Sequence, residues 1–146
     1  MRVLRREQRF RRPLDEVFAF FADAHNLKEI TPPFLGFRIL TPAPIQMRVG
    51  ARIDYRIRLH GIPIRWETEI TAWDPPHHFV DEQRRGPYHV WHHEHRFREE
   101  SGEVVVTDEV TYSHLGGPLV HALLIAPDLR RIFDYRADRL RARFSS

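Results

Sequence analysis

The chain has 146 residues, 42% hydrophobic and 29% charged, without a single cysteine. That suits one domain over 1–146 with room for an internal pocket, and it excludes disulfides, thiol nucleophiles and thiolate metal sites. The net charge of +3 is scattered through every element, with Lys28 the sole lysine among 23 basic residues, so a nucleic-acid footprint clustered on one face is not expected.

The N-terminus is charged and lacks an apolar h-region, and no run of about 18 apolar residues occurs, so neither a signal peptide nor stable membrane insertion is expected. A cytoplasmic location follows as the expectation. Val3 to Phe10 reads as a first strand with weak alternation. Pro13, Asp15 and Glu16 suit the positive end of a helix running to about Ala22, with Val17, Phe18 and either Phe21 or Phe20 on its buried side. Asp23 can cap a second short helix to Ile30, which Pro32-Pro33 stops. Phe37 to Leu40 is a short strand, and 41–50 a loop or irregular hairpin with exposed apolar residues, whose stretch Ile45 to Val49 is either a pocket lid or packing for a neighbouring element. Ala51 to His60 alternates, with Ile53, Tyr55, Ile57 and Leu59 on one face. Ile64 to Trp73 repeats the pattern, with Ile64, Trp66, Thr68, Ile70 and Ala72 inward.

After the turn Asp74-Pro75-Pro76, a strand from His78 places Phe79, Asp81 and Gln83 on one face. Arg85-Gly86-Pro87 turns the chain into Tyr88 to Glu99, whose inner face reads His89, Trp91, His93, His95, Phe97. That face is aromatic yet rich in imidazole, where a strand that only closed a core would carry Val, Ile or Leu. Ser101-Gly102 turns again into Val104 to Ser113, with Val104, Val106, Asp108, Val110 and Tyr112 inward. Gly116-Gly117-Pro118 opens a long C-terminal helix that Pro127 should kink or restart. Leu129, Ile132, Phe133, Arg136, Leu140 and Phe144 then recur at helical spacing. The order is β-α-α, about six strands joined by short turns, then a long helix. Such strands are antiparallel neighbours, and the helix covers their concave face.

At this point the chain resembles a known superfamily. The carrying residues are F-x-F-F-A-D-A-x-N-L at 18–27, I-T-P-P at 30–33, G-A-R-I-D-Y at 50–55 and W-x-T-x-I-x-x-W-x-P-P at 66–76. F-V-D-E-Q-R-R-G-P-Y-x-x-W-x-H-x-H-x-F at 79–97, D-x-V-x-Y at 108–112 and I-F-x-Y-R at 132–136 complete the set. Together they resemble the START and birch-pollen-allergen superfamily, SRPBCC, and within it the polyketide cyclase/dehydrase-like ligand-binding subgroup. The resemblance implies an α+β helix-grip fold, a curved antiparallel sheet of six to seven strands around the last helix. It also implies a pocket for an apolar or amphipathic molecule, lipid- or polyketide-like, held as carrier or sensor. It does not imply an enzyme, because the superfamily holds carriers, sensors and catalysts alike. Pro127 departs from the superfamily's continuous C-terminal helix.

If Phe97 lies opposite Val104, then His93 meets Asp108, which would fix the imidazole tautomer and raise its pKa, as a general base needs. A two-residue slip would instead pair Asp108 with His95 or Trp91. The preceding hairpin brings Asp81 and Gln83 toward His89 and Trp91. The candidate ligand-binding residues are therefore Tyr55, Trp66, Thr68, Asp81, Gln83, Trp91, His93, His95, Asp108, Tyr112 and Arg136, with His93 and Asp108 the candidate catalytic pair of a cyclase or dehydratase. A buried structural network, a ligand lining and an acid–base site all fit this set. His93-x-His95 with Asp108 is a weak signal for a metal, and neither a metal nor a cofactor is expected. The sequence leaves a homodimer open.

Overall fold

The computed structural model describes residues 1–145. The chain runs through β1 (Arg2–Phe10), α1 (Leu14–Ala22), two 3₁₀ turns (Ala24–Ile30 and Pro33–Leu35) and β2 (Arg38–Ile39). Then come β3 (Arg52–Leu59), β4 (Ile62–Asp74), β5 (His78–Arg85), β6 (Val90–Glu100) and β7 (Glu103–Ser113). Helix α2 (Gly117–Val120), a π-helical turn (His121–Ile125) and α3 (Ala126–Phe144) end it. The strands form one antiparallel sheet in the order β1-β7-β6-β5-β4-β3-β2. Beyond the six-strand meander, β1 adds to the edge of β7. This is the expected α+β helix-grip architecture.

Local chemistry explains the elements. Asp23 accepts the His25 backbone N–H at 3.0 Å and so caps the first 3₁₀ turn. The apolar stripe of α3 buries Leu129, Phe133, Leu140 and Phe144, and it divides between two hydrophobic clusters. Leu140 and Phe144 join Phe10, Phe18, Phe21, Phe79 and Phe97. Leu129 and Phe133 join Trp66, Trp91, Val110 and Tyr112. Arg136 falls between them on the same stripe and is 8% exposed.

Some expectations hold and others need correction. Pro127 meets its expectation, since α3 restarts at Ala126 with Pro127 in its first turn, while helical dihedrals persist through Val120, Ile125 and Ala126. The π turn absorbs it: the Ala126 N–H bonds to the His121 carbonyl, five residues back, and this wide turn makes room where proline lacks a donor and its ring crowds the preceding turn. In β4 the register shifts between Ile70 and Ala72, which turns Trp73 rather than Ala72 onto the inner face, 5.4 Å from Phe18 and 5.5 Å from Phe79 between ring centres. Strand β6 begins at Val90, not Tyr88, so the link over 86–89 breaks the alternation, leaving His89 exposed and Tyr88 half-buried.

The register of β6 on β7 is also corrected. Phe97 lies opposite Val106, His95 opposite Asp108 and His93 opposite Val110. This is the two-residue slip, and it keeps the inner faces together as a slip by one residue would not. The cause is the turn: Glu100 pairs with Glu103, so Ser101 and Gly102 alone span it, with φ of 53° and 80°. Two positive φ values define the tight hairpin turn that matches strand twist. The β5–β6 hairpin is likewise two residues off expectation, with Asp81 opposite His93.

Candidate functional site

The inner face of β6 carries His93 and His95, stacked with ring centres 3.8 Å apart. Phe79 of β5 covers the far side of His95 at 4.1 Å and 12°. Asp81 comes from β5, Asp108 from β7 and Arg136 from α3. His93 Nε2 lies 2.8 Å from Asp108 Oδ1, and His95 Nε2 lies 2.6 Å from Asp81 Oδ2. His95 Nδ1 is 3.3 Å from Asp108 Oδ1, close enough for charge attraction but without the alignment of a hydrogen bond. Arg136 Nη2 donates to the same Asp108 oxygen at 3.3 Å. Although Asp108 sits opposite His95 in the ladder, its shortest imidazole contact is diagonal, to His93.

Burial opposes ionisation of Asp108, but Arg136 and the two imidazoles outweigh it and hold the carboxyl well below the usual carboxylate range. Burial also works against Asp81, and His93, His95 and Arg136 bring it below its ordinary value. Burial pushes His93 down, His95 adds to that, and the two carboxylates only partly offset it. Burial would lower His95 too, but its contacts with Asp108 and Asp81 carry it above the ordinary imidazole value. An ionised Asp108 accepts only, so His93 Nε2 carries the proton of a neutral ring and Nδ1 carries the lone pair. Two carboxylates thus face Arg136 and His95, and the buried charges balance when that imidazole is protonated.

This network forms one wall of a partly open cavity of about 180 Å³, far above the roughly 10–15 Å³ that one water occupies. Of the sequence candidates, Tyr55, Trp66, Thr68, Asp81, Trp91, His93, His95 and Arg136 line it. Three do not. The Gln83 amide clamps the 86–89 link, donating to the Tyr88 carbonyl at 2.6 Å and accepting its N–H at 3.1 Å. Tyr112 turns its hydroxyl to His121 Nε2 at 2.8 Å, in the π turn. Asp108 stands behind the imidazoles. Burial and Asp81 together push the Tyr55 hydroxyl well above its ordinary value, so it stays protonated.

Sequence reasoning missed the wall opposite the sheet. Phe20 and Phe21 of α1, Leu27 and Ile30 of the first 3₁₀ turn, and Met47 of the long loop all border the cavity. Leu27 and Ile30 recur at a helical spacing, which was the available signal. Met47 belongs to the apolar loop Ile45 to Val49, for which the sequence left open a pocket lid or packing on a neighbouring element. Tyr88 also lines the cavity, hidden by the assumption that it began β6.

A curved antiparallel sheet gripping a long helix over a walled cavity defines the helix-grip class. The profile of the family described as polyketide cyclase / dehydrase and lipid transport matches residues 11–141, and the chain belongs to that family. No curated protein matches the chain by sequence. Among solved structures, protein Ms6760 from Mycobacterium smegmatis is similar at 21% identity and a TM-score of 0.71, covering 96% of this chain and 88% of that one. Protein CV1439 from Chromobacterium violaceum is similar at 12% identity and a TM-score of 0.77, covering 99% and 97%. The major latex-like protein 151 from Panax ginseng is similar at 13% identity and a TM-score of 0.71, covering 99% and 97%. At these identities the likeness speaks for the fold. No helix among the described residues is long and apolar enough to cross a membrane.

Proposed function

We propose that the protein binds one apolar or amphipathic small molecule, lipid- or polyketide-like, in the cavity between sheet and α3, as a carrier or sensor. The observation that supports this is the contrast within the cavity wall. Tyr55, Trp66, Trp91, Ile57, Leu129 and Phe133 offer an apolar and aromatic surface, and the charged groups gather in one internally paired cluster. A ligand with an apolar body gains from the first and orients a polar end on the second. The test is native mass spectrometry of protein recovered from its host without delipidation. A co-purifying lipophile at one per chain is expected. Ile132→Trp, which fills the cavity from α3, should reduce its retention at least tenfold. Unchanged retention in that variant, or no bound lipophile under any growth condition, overturns the reading.

A second reading rests on His93. Its ring is neutral, borders the cavity and is oriented by Asp108 at 2.8 Å. In a cyclase or dehydratase, Nδ1 would take a proton from a carbon beside a ligand carbonyl, and Asp108 would stabilise the resulting imidazolium. His93→Ala would then abolish turnover while leaving ligand affinity largely intact.

A further inference from the structure

The geometry points to a binding site for one first-row divalent transition-metal ion, held by His93 Nδ1, His95 Nε2 and Asp81 Oδ2, with its remaining coordination positions facing the cavity. This runs against the sequence expectation of no metal, and the difference lies in the register. Asp108 was the only carboxylate weighed as a third ligand. The observed pairing instead brings Asp81 to the cavity side of the imidazoles and leaves Asp108 behind them.

Three observations carry the site. First, one ligand atom from each of Asp81, His93 and His95 lies within 4.8 Å of the others. Asp81 Oδ2 is 2.6 Å from His95 Nε2 and 3.9 Å from His93 Nδ1. Ligands about 2.0–2.1 Å from an ion sit roughly 2.9–3.4 Å from one another, so one gap opens slightly and the other closes by about half an ångström. Two imidazoles and one carboxylate, with vacant positions beside them, suit imidazole- and carboxylate-preferring ions of the first transition row.

Second, the outer shell is already in place. The imidazole nitrogens that do not face Asp81 both face Asp108 Oδ1, at 2.8 Å for His93 and 3.3 Å for His95. A carboxylate behind a ligating histidine fixes its tautomer and raises its basicity, and here one carboxylate serves both rings. Arg136 anchors that carboxylate in turn. The His95 Nδ1 proton, buried without an aligned acceptor, gains one when the ring shifts to ligate.

Third, the surroundings suit a cation: the carboxylates of Asp81 and Asp108 flank the two imidazoles, and the one guanidinium, Arg136, stands against Asp108 at 3.3 Å. The rings stack at 3.8 Å and 24°, so loading must turn them apart. Phe79 blocks His95 on one side, whereas His93 has the cavity beside it. His93 therefore swings about its Cβ–Cγ bond, a soft torsion, and Nε2 stays near Asp108 because it lies close to that axis.

The experiment uses the full chain, stripped with chelator and freed of lipophiles, titrated with Zn²⁺ and Co²⁺ by calorimetry. One equivalent should bind saturably, and bound Co²⁺ should give the visible spectrum of nitrogen and carboxylate coordination. His93→Ala and Asp81→Asn should each weaken Zn²⁺ binding more than tenfold, and Asp108→Asn by about 10–100-fold. His92→Ala, on the outer face, should leave it unchanged. Absence of saturable binding, or binding insensitive to both ligand substitutions, overturns the proposal. If those variants fail to fold, histidine ring resonances of the unsubstituted protein decide. Shifts of His93 and His95 with Zn²⁺ support the site, and shifts confined to exposed histidines such as His60 and His89 overturn it. Because lipophiles are removed first, the outcome is independent of the proposed ligand.

Discussion

The two ends of α3 pack against aromatic clusters of opposite character. At the C-terminal end, Leu140 and Phe144 meet a nest of phenylalanines, and Phe97 touches Phe18, Phe21 and Phe79 with ring centres 5.0–6.0 Å apart. At the N-terminal end, Leu129 and Phe133 meet tryptophan and tyrosine, and many of the neighbours are only partly buried. Phenylalanine carries no polar atom and packs to full density without further demands. Tryptophan and tyrosine bring an N–H or O–H that wants a partner and so favour a wall with something polar in front of it. Trp66 shows the tension, since its buried indole N–H has no partner. One end of the helix is built to close and the other to remain open, and the Arg136–Asp108 pair marks the boundary.

The sharpest way to break this contrast is Phe97→Ala. Removing a 2% exposed ring from the closed end leaves a new void, so urea unfolding should show a loss of about 3–5 kcal/mol. Arg136→Leu strikes the boundary. It leaves Asp108 buried without its guanidinium, and a loss of about 3 kcal/mol is expected by the same measurement. A loss under 1 kcal/mol would mean that the pair is not what holds that carboxylate ionised.

Acid should act most strongly on the boundary. Asp108 has a depressed folded pKa, so its contribution is present above the unfolded value of about 3.9 and disappears as pH falls toward the folded value. Stability of the metal-free protein should therefore drop steeply below about pH 4, and Asp108→Asn should flatten that dependence while lowering stability at neutral pH. His95 has the opposite sign. Its raised folded pKa gives a contribution present below the ordinary value of about 6.5 and lost as pH rises through the folded value. His95→Gln should remove the corresponding alkaline-side decline in thermal midpoint.

At the open end the effects shrink. Phe133 already borders the cavity, so Phe133→Ala forfeits the transfer term of about 2 kcal/mol with little added void penalty, and the cavity enlarges. Trp66→Phe loses contact area but also a buried donor without an acceptor, and should stay within about 1 kcal/mol of the parent. Were Phe133→Ala as damaging as Phe97→Ala, the distinction between the two ends would collapse.

Much of this was legible in the sequence. Period-two alternation assigned the inner faces of β3, β6 and β7, and the helical stripe already contained Arg136 among its apolar residues. The His93–Asp108 contact was expected from a register that the structure corrects, and it survives as a diagonal contact because both side chains, with Arg136, point inward. What alternation could not supply was phase along the strands. The bulge that turns Trp73 inward, the four-residue link that releases Tyr88 and the tight turn after Glu100 are single-residue events, and a face pattern with period two is blind to shifts of two. For the same reason Asp81 was placed near Trp91 instead of His93. The α1 and 3₁₀ wall of the cavity depends on how those turns fold back over the sheet, a tertiary choice that no local periodicity encodes.

The Ser101-Gly102 turn has a consequence for what the chain can tolerate. Exposed hairpin tips are ordinarily where insertions are accepted. Here the tip lies about 20 Å along the strand from His95, yet it sets which residues of β7 face β6. One added residue that shifted the ladder would put Thr107 where Asp108 now stands and turn Asp108 to the outer face. Two would keep the faces but hand Asp108 a different neighbour. A surface turn distant from the cavity therefore sets the alignment of buried residues, and only a length change that leaves the ladder register intact spares the site.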